Sequence, residues 1–158
     1  MTETDTRTVP GQPVPSAMKV SDAMSTDVEF IDPDNPVCEA ATLMGEIDVG
    51  SLPVGSAAAL VGILTDRDIL YRVVARGADC ANVRVRDIVS TPVISCRDGD
   101  TLASAMDLMA ANHIRRMPVL DDAGRVVGWI TLADIARRLL VDSGELQSSL
   151  HHLTEAGS

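Results

Sequence analysis

The chain contains its own sequence twice, and this repeat limits the folds open to its 158 residues more than any other feature. Displaced by 65 residues, VSDAMSTDV from Val20 lies over VRDIVSTPV from Val85. Ten of the 35 positions in Val20–Val54 are identical to their partners in Val85–Val119, where chance would give about two. The identities include Asp22/Asp87, Ser25/Ser90, Thr26/Thr91, Val28/Val93, Met44/Met109 and Pro53/Pro118. Beyond them the offset becomes 66, so GILTDRDI from Gly62 lies over GWITLADI from Gly128. Turn residues between Val54 and Val61 absorb the difference.

Each copy reads as the same string of elements. Val37, Ala40, Ala41, Met44 and Ile47 recur at helical spacing, with Asp34 and Asn35 as candidate caps and Pro36 in the first turn. Leu102, Ala105, Met106 and Met109 repeat the pattern behind Asp100. Short strands follow at Leu52–Val54 and Met117–Leu120. The turn Asp121–Gly124 then leads into a second strand at Arg125–Ile130, with the loop Gly55–Ala59 as its counterpart in the first copy. Last come helices over Asp66–Arg76 and Leu132–Val141, with Ile69, Val73, Ile135 and Leu139 facing inward. The unit is β-α-β-β-α, of mixed α/β (α+β) class. One such unit buries too little apolar surface to stand alone, so two must share a core about a pseudo-two-fold axis. The chain divides into a polar, Pro-rich tail (1–17) expected to be disordered, repeat 1 (18–83), repeat 2 (84–142) and a C-terminal tail (143–158).

Composition excludes several functions. Thirteen basic against 23 acidic residues give a net charge of −10, which disfavours phosphate-mediated nucleic-acid binding. Aromatic residues number three (Phe30, Tyr71, Trp129), too few for the stacking platforms of single-strand binders. The longest apolar run, Ala57–Leu64, is under half a membrane span, and the N-terminus has no signal-peptide pattern. A cytoplasmic protein is expected. Cys38, Cys80 and Cys96 are odd in number and far apart in sequence, suggesting neither a disulfide framework nor a zinc knuckle, and are read as thiols of a reducing compartment. No zinc-helix, phosphate-loop or nucleophile-elbow motif is present, and His113, His151 and His152 form no ligand set. The chain is expected to have no catalytic residues and no metal, and not to be an enzyme.

The tandem β-α-β-β-α repeat, the Pro-Val strands at Leu52 and Met117, and Gly-x-x-Thr-x-x-Asp at Gly62 and Gly128 resemble the cystathionine-β-synthase (CBS) domain, whose pairs form a Bateman module. The resemblance runs from Met18 to about Val141 and is greatest to small stand-alone bacterial CBS-pair proteins, including the mycobacterial hypoxic response type. It implies a regulatory module that binds an adenosine-containing ligand (AMP, ADP, ATP or S-adenosylmethionine) between the repeats, and that needs no cofactor of its own. It also implies a homodimer signalling to a separate effector protein. The alternative is a ligand-free adaptor dimer with vestigial pockets.

Three groups of residues are candidates for that site. Thr65 with Asp68, and Thr131 with Asp134, form capping boxes at helix starts. The resemblance adds that each Asp receives the two hydroxyls of a ribose, a geometry that a carboxylate's two oxygens suit. Arg115 and Arg116 precede the second Pro-Val strand, where the family's phosphate binders carry basic side chains, while the matching positions in repeat 1 are Gly50 and Ser51. Guanidinium groups take phosphate oxygens in pairs. Charge is equally uneven: residues 20–83 hold three basic and 11 acidic groups, residues 84–142 eight of each. Thr26 and Val28, and Thr91 and Val93, lie in the segments that line the base pocket in the family. One strong and one weak pocket per chain are therefore expected, the strong one using the arginines and either Asp68 or Asp134.

Overall fold

The computed structural model describes residues 17–142, so the two tails read from the sequence lie outside the described residues, save Ala17. Repeat 1 supplies α1 (Val37–Glu46), β1 (Ser51–Gly55), β2 (Leu60–Thr65) and α2 (Asp66–Arg72). Repeat 2 supplies α3 (Val85–Ile88), β3 (Cys96–Arg97), α4 (Leu102–Ala111), β4 (Arg116–Leu120), β5 (Val126–Thr131) and α5 (Leu132–Asp142). In both copies the Pro-Val strand pairs antiparallel with the strand after it: Pro53 faces Ile63, and Pro118 faces Trp129. Each hairpin carries a bulge at its far end, at Val54/Gly55 and Val119/Leu120.

The opening strand of the unit is nearly vestigial. In repeat 2 it is the two-residue β3, parallel to β4; in repeat 1 it shrinks to a single parallel bridge between Ile31 and Val54. Instead, each copy opens on a helical turn that the periodicity did not reveal, a 3-10 turn at Val20–Asp22 and α3 at Val85–Ile88. Asp22 and Asp87 hold these turns by accepting the N–H of Lys19 (3.0 Å) and of Arg84 (3.3 Å).

These opening turns are exchanged between the halves. Val20 belongs to the core of repeat 2, with Cys96, Leu102, Met109, Val119, Ile130 and Ile135. Val85 and Ile88 belong to that of repeat 1, with Val37, Leu52, Val54, Leu64 and Val73. Backbone bonds fix the exchange: Val20 N–H to Asp100 O (2.8 Å) and Leu102 N–H to Met18 O (2.8 Å), mirrored by Val85 N–H to Asn35 O (3.0 Å) and Val37 N–H to Val83 O (2.9 Å). Each fully buried Val, Leu or Ile contributes about 1.5–3 kcal/mol relative to exposure, so neither core is complete without the other repeat.

Two local readings need correction. Neither Asp34 nor Asn35 caps α1: Pro36 holds the N-cap position and no side chain bonds there. Asp34 instead bonds Arg86 through its carboxylate and Arg84 through its carbonyl, holding α1's entry against α3. The helix expected over Asp66–Arg76 ends at Arg72; Val73 turns its buried side chain into the core, and a 3-10 turn (Val74–Arg76) closes on left-handed Gly77.

Candidate functional site

Crossing of the repeats builds the candidate sites. Ser25 and Trp129 exchange both backbone hydrogen bonds (2.8 Å each), and Ser90 and Ile63 do the same (3.0 and 3.2 Å). The segment entering each repeat therefore lies along the second hairpin strand of the other. Gly62 and Gly128 make this approach possible. A Cβ on Gly62 would stand 2.4 Å from Val89 Cγ2, and one on Gly128 2.6 Å from Met24 Sδ and 2.9 Å from Ser25 O. This lays the segment of Thr91 and Val93 along the strand that leads to Thr65 and Asp68, and the segment of Thr26 and Val28 along the strand that leads to Thr131 and Asp134.

In the first site Asp68 is 9% exposed. Its Oδ2 accepts the N–H and the hydroxyl of Thr65 (2.9 Å each), and Thr65 Oγ1 accepts Asp68 N–H (3.1 Å). This is the full capping box of α2. Ser90 Oγ donates to the same carboxylate, 3.1 Å from Oδ1 and 3.2 Å from Oδ2, and Arg72 Nε lies 3.7 Å from Oδ1. The Thr91–Pro92 peptide bond is cis.

The second site is built alike at its cap and differently around it. Asp134 Oδ2 accepts from Thr131 N (3.0 Å) and Oγ1 (2.7 Å). Its side chain is 22% exposed, and Oδ1 meets the solvent-facing Arg137 at 3.3 Å rather than a serine. Ser25 Oγ accepts Asp27 N–H instead (3.3 Å). Asp134, Arg137 and Arg138 border an open hollow of about 220 Å³ with Asp22, Ala23 and Val141.

Next to Thr26, the entering segment of this second site borders only a small recess. A recess of about 70 Å³ remains between Asp27–Glu29, Ile47, Val49, β1 and the Trp129 side chain. Ligand pockets run to about 300–1,000 Å³, so this recess has no room for a purine. In the recess wall the Ser51 hydroxyl is buried with no hydrogen-bond partner among the described residues. Repeat symmetry puts Ile63 where Trp129 stands, and Arg116 where Ser51 stands, in the first site.

The arginines follow that symmetry. Both are exposed. Arg116 Nη1 reaches over Gly50, 3.3 Å from where its Cβ would be, and Asp66 Oδ2 approaches the same point at 3.1 Å. The Arg116 guanidinium therefore reaches towards the first turn of α2, the helix that carries Asp68, while its backbone pairs with Thr131 at the start of α5. Arg115 accepts Leu132 N–H through its carbonyl (2.8 Å). Sequence reading missed the hydroxyls of Ser51 and Ser90 and the part played by Trp129. Two of these had a signal in the repeat: Ser25/Ser90 is an identity, and Ile63/Trp129 is a mismatch at the strand centre.

Among the described residues no group of three or more His, Cys, Asp and Glu is placed to hold a metal, and no helix is long and apolar enough to cross a membrane. The family model for the CBS domain matches residues 20–75 and again 85–141. The CBS domain-containing protein YhcV of Bacillus subtilis is 39% identical over 117 residues, 74% of this chain and 82% of that protein. Inosine-5'-monophosphate dehydrogenase of Methanocaldococcus jannaschii is 32% identical over 126 residues, 79% of this chain but only 24% of the enzyme. Among solved structures, Hypoxic Response Protein I with two coordinated zinc ions superposes with a TM-score of 0.69 at 30% identity, covering 76% of this chain and 98% of that one.

Proposed function

The chain belongs to the CBS-domain family, both repeats included, and from that premise we propose that it senses an adenosine-containing ligand and passes the signal to a separate effector protein. CBS pairs are in general regulatory ligand-binding modules. The observation that carries the finer reading is the reach of the Arg116 guanidinium towards the start of the helix bearing Asp68. A cation from repeat 2 and a diol-binding carboxylate from repeat 1 then face one ligand, phosphate to Arg116 and ribose to Asp68. Val93 and Ile63 offer the base an aliphatic surface. For the ribose to bind, the Ser90 hydroxyl must turn away from Asp68, so ligand binding and the seat of the entering segment are linked.

A melting-temperature panel of AMP, ADP, ATP, S-adenosylmethionine and NAD tests this. A ligand at a hundred times its dissociation constant adds about 2.7 kcal/mol, a rise of several degrees for a domain of this size. No rise with any of them would favour the alternative, an adaptor whose pockets are vestigial, a reading to which the small Trp129-lined recess lends some support.

The same proposal includes a homodimer in a reducing cytoplasm. Leu70, Tyr71 and Val74 stand more than half exposed on and just after α2, as does Leu140 on α5 beside the half-exposed Val141. These helices offer a self-complementary face for an isologous pair. Light scattering at micromolar concentration should give twice the chain mass; the mass of one chain would refute the dimer.

A further inference from the structure

Two of the three cysteines, 42 positions apart in sequence, meet in the fold. Cys38 lies in the first turn of α1, and Cys80 lies in the connection from the end of repeat 1 to α3. The connection runs back along the helix start: Cys38 N–H donates to Cys80 O (3.3 Å), and Val37 N–H donates to Val83 O (2.9 Å). That bond sets the two residues side by side, and a disulfide spans Cα atoms roughly 4.4–6.8 Å apart. Burial pushes the Cys80 thiol up, and the neighbouring Cys38 thiol adds to the rise. Asp79 fixes the turn that presents Cys80, accepting from Ala81 N (3.0 Å) and Asn82 Nδ2 (2.9 Å). Both cysteines are half-buried and reduced, whereas Cys96 is buried in the other core.

From this geometry we propose that Cys38 and Cys80 are a modification site, a dithiol that a low-molecular-weight disulfide oxidises to an intramolecular bond. One thiolate attacks a sulfur of the reagent, forming a mixed disulfide and expelling one reagent thiolate, which takes up the proton lost by the cysteine. The second cysteine, as thiolate, attacks the protein sulfur of the mixed disulfide, the Cys38–Cys80 bond forms, and the second reagent thiolate leaves and is protonated in turn. Two electrons pass from the cysteines to the reagent. Access is available beside Cys38, which borders a shallow surface groove of about 240 Å³ with Glu39, Thr42, Leu43 and Glu46. The two glutamates disfavour anionic reagents there, so an uncharged disulfide is the better probe. The bond would pin the connection to α1, and that connection leads through α3 to Ser90, the donor to Asp68.

The test treats the full chain, with a chelator present, with bis(2-hydroxyethyl) disulfide, then alkylates in denaturant and maps tryptic peptides. The expected product is a monomeric chain with only Cys96 alkylated and peptide Gly77–Arg84 joined to the peptide bearing Cys38. It should melt several degrees above the reduced chain. Cys38→Ser and Cys80→Ser should each stop at a mixed disulfide on the remaining partner, cleared at least tenfold more slowly than in the parent chain. Mixed disulfides persisting on both cysteines of the parent chain, bonds between chains, a bond to Cys96, or no reaction would each overturn the proposal.

Discussion

Ser25 and Trp129 bond to each other through both backbone N–H groups, 2.8 Å each way, although 104 positions separate them in sequence. The bond ties the entry of repeat 1 to the last strand of repeat 2, and Ser90 and Ile63 make its mirror image. The glycine next to each strand residue is what permits it. Gly62→Ala puts a methyl 2.4 Å from Val89 Cγ2 and 2.8 Å from Ser90 O; Gly128→Ala does the like at Met24 and Ser25. Each should lose about 1–3 kcal/mol in urea unfolding. Gly45→Ala in α1, where no atom lies within 4 Å of the new Cβ, should gain up to about 1 kcal/mol. Equal behaviour of the three would show that the entry segments are not held against the strands.

Trp129 lines the recess of about 70 Å³ at the second site, where repeat 1 carries Ile63 at the matching position, and the buried Ser51 hydroxyl in its wall has no hydrogen-bond partner among the described residues. Trp129→Ile restores the residue that repeat 1 uses and should raise the calorimetric stoichiometry from one ligand per chain towards two. The loss of packing should cost about 1–3 kcal/mol. Ile63→Trp should do the reverse and abolish binding at the first site. Unchanged stoichiometry in both variants would separate Trp129 from ligand choice.

Much of this arrangement was legible in the repeat itself. Pro53/Pro118 and the Gly-x-x-Thr-x-x-Asp strings located both hairpins and both helix caps, because strand pairing and capping are local and leave fixed spacings. The exchange of Val20 and Val85 between cores left no such trace: a lone helical turn is too short for a period, and which core it joins depends on the whole chain. The partner of the arginines was open for the same reason. Arg116 and Asp66 come from different repeats, and their common approach to Gly50 is a property of the pseudo-two-fold axis.

Cys96 gives the alkaline limb of stability a specific cause. Burial pushes its thiol up to about 11, and the Asp100 carboxylate adds to the rise. In the unfolded chain the thiol ionises near its ordinary value of 9.0. Between these values the unfolded chain has released a proton that the folded chain retains, so stability is full below pH 9 and falls as pH climbs towards 11. Cys96→Ala removes this group, so its urea midpoint should fall less over that range and the gap to the parent chain should narrow. Parallel curves would show that Cys96 does not ionise on unfolding.

The arginine pair separates the ligand's phosphate from its nucleoside. Hydrogen bonds to charged groups contribute about 1.5–3 kcal/mol each, so Arg115→Ala with Arg116→Ala should weaken AMP binding about a hundredfold and adenosine binding far less. Both side chains are exposed, so the melting temperature without ligand should hardly move. Since Arg116 reaches towards the start of α2, Asp68→Asn should lower affinity for both AMP and adenosine, and Asp134→Asn should leave both nearly unchanged. Asp68 also caps its helix, so its own control is the unliganded melting temperature, read beside Asp134→Asn, which carries the same capping defect. Binding that follows Asp134 instead, or an arginine double variant that holds AMP normally, would move the ligand out of the first site.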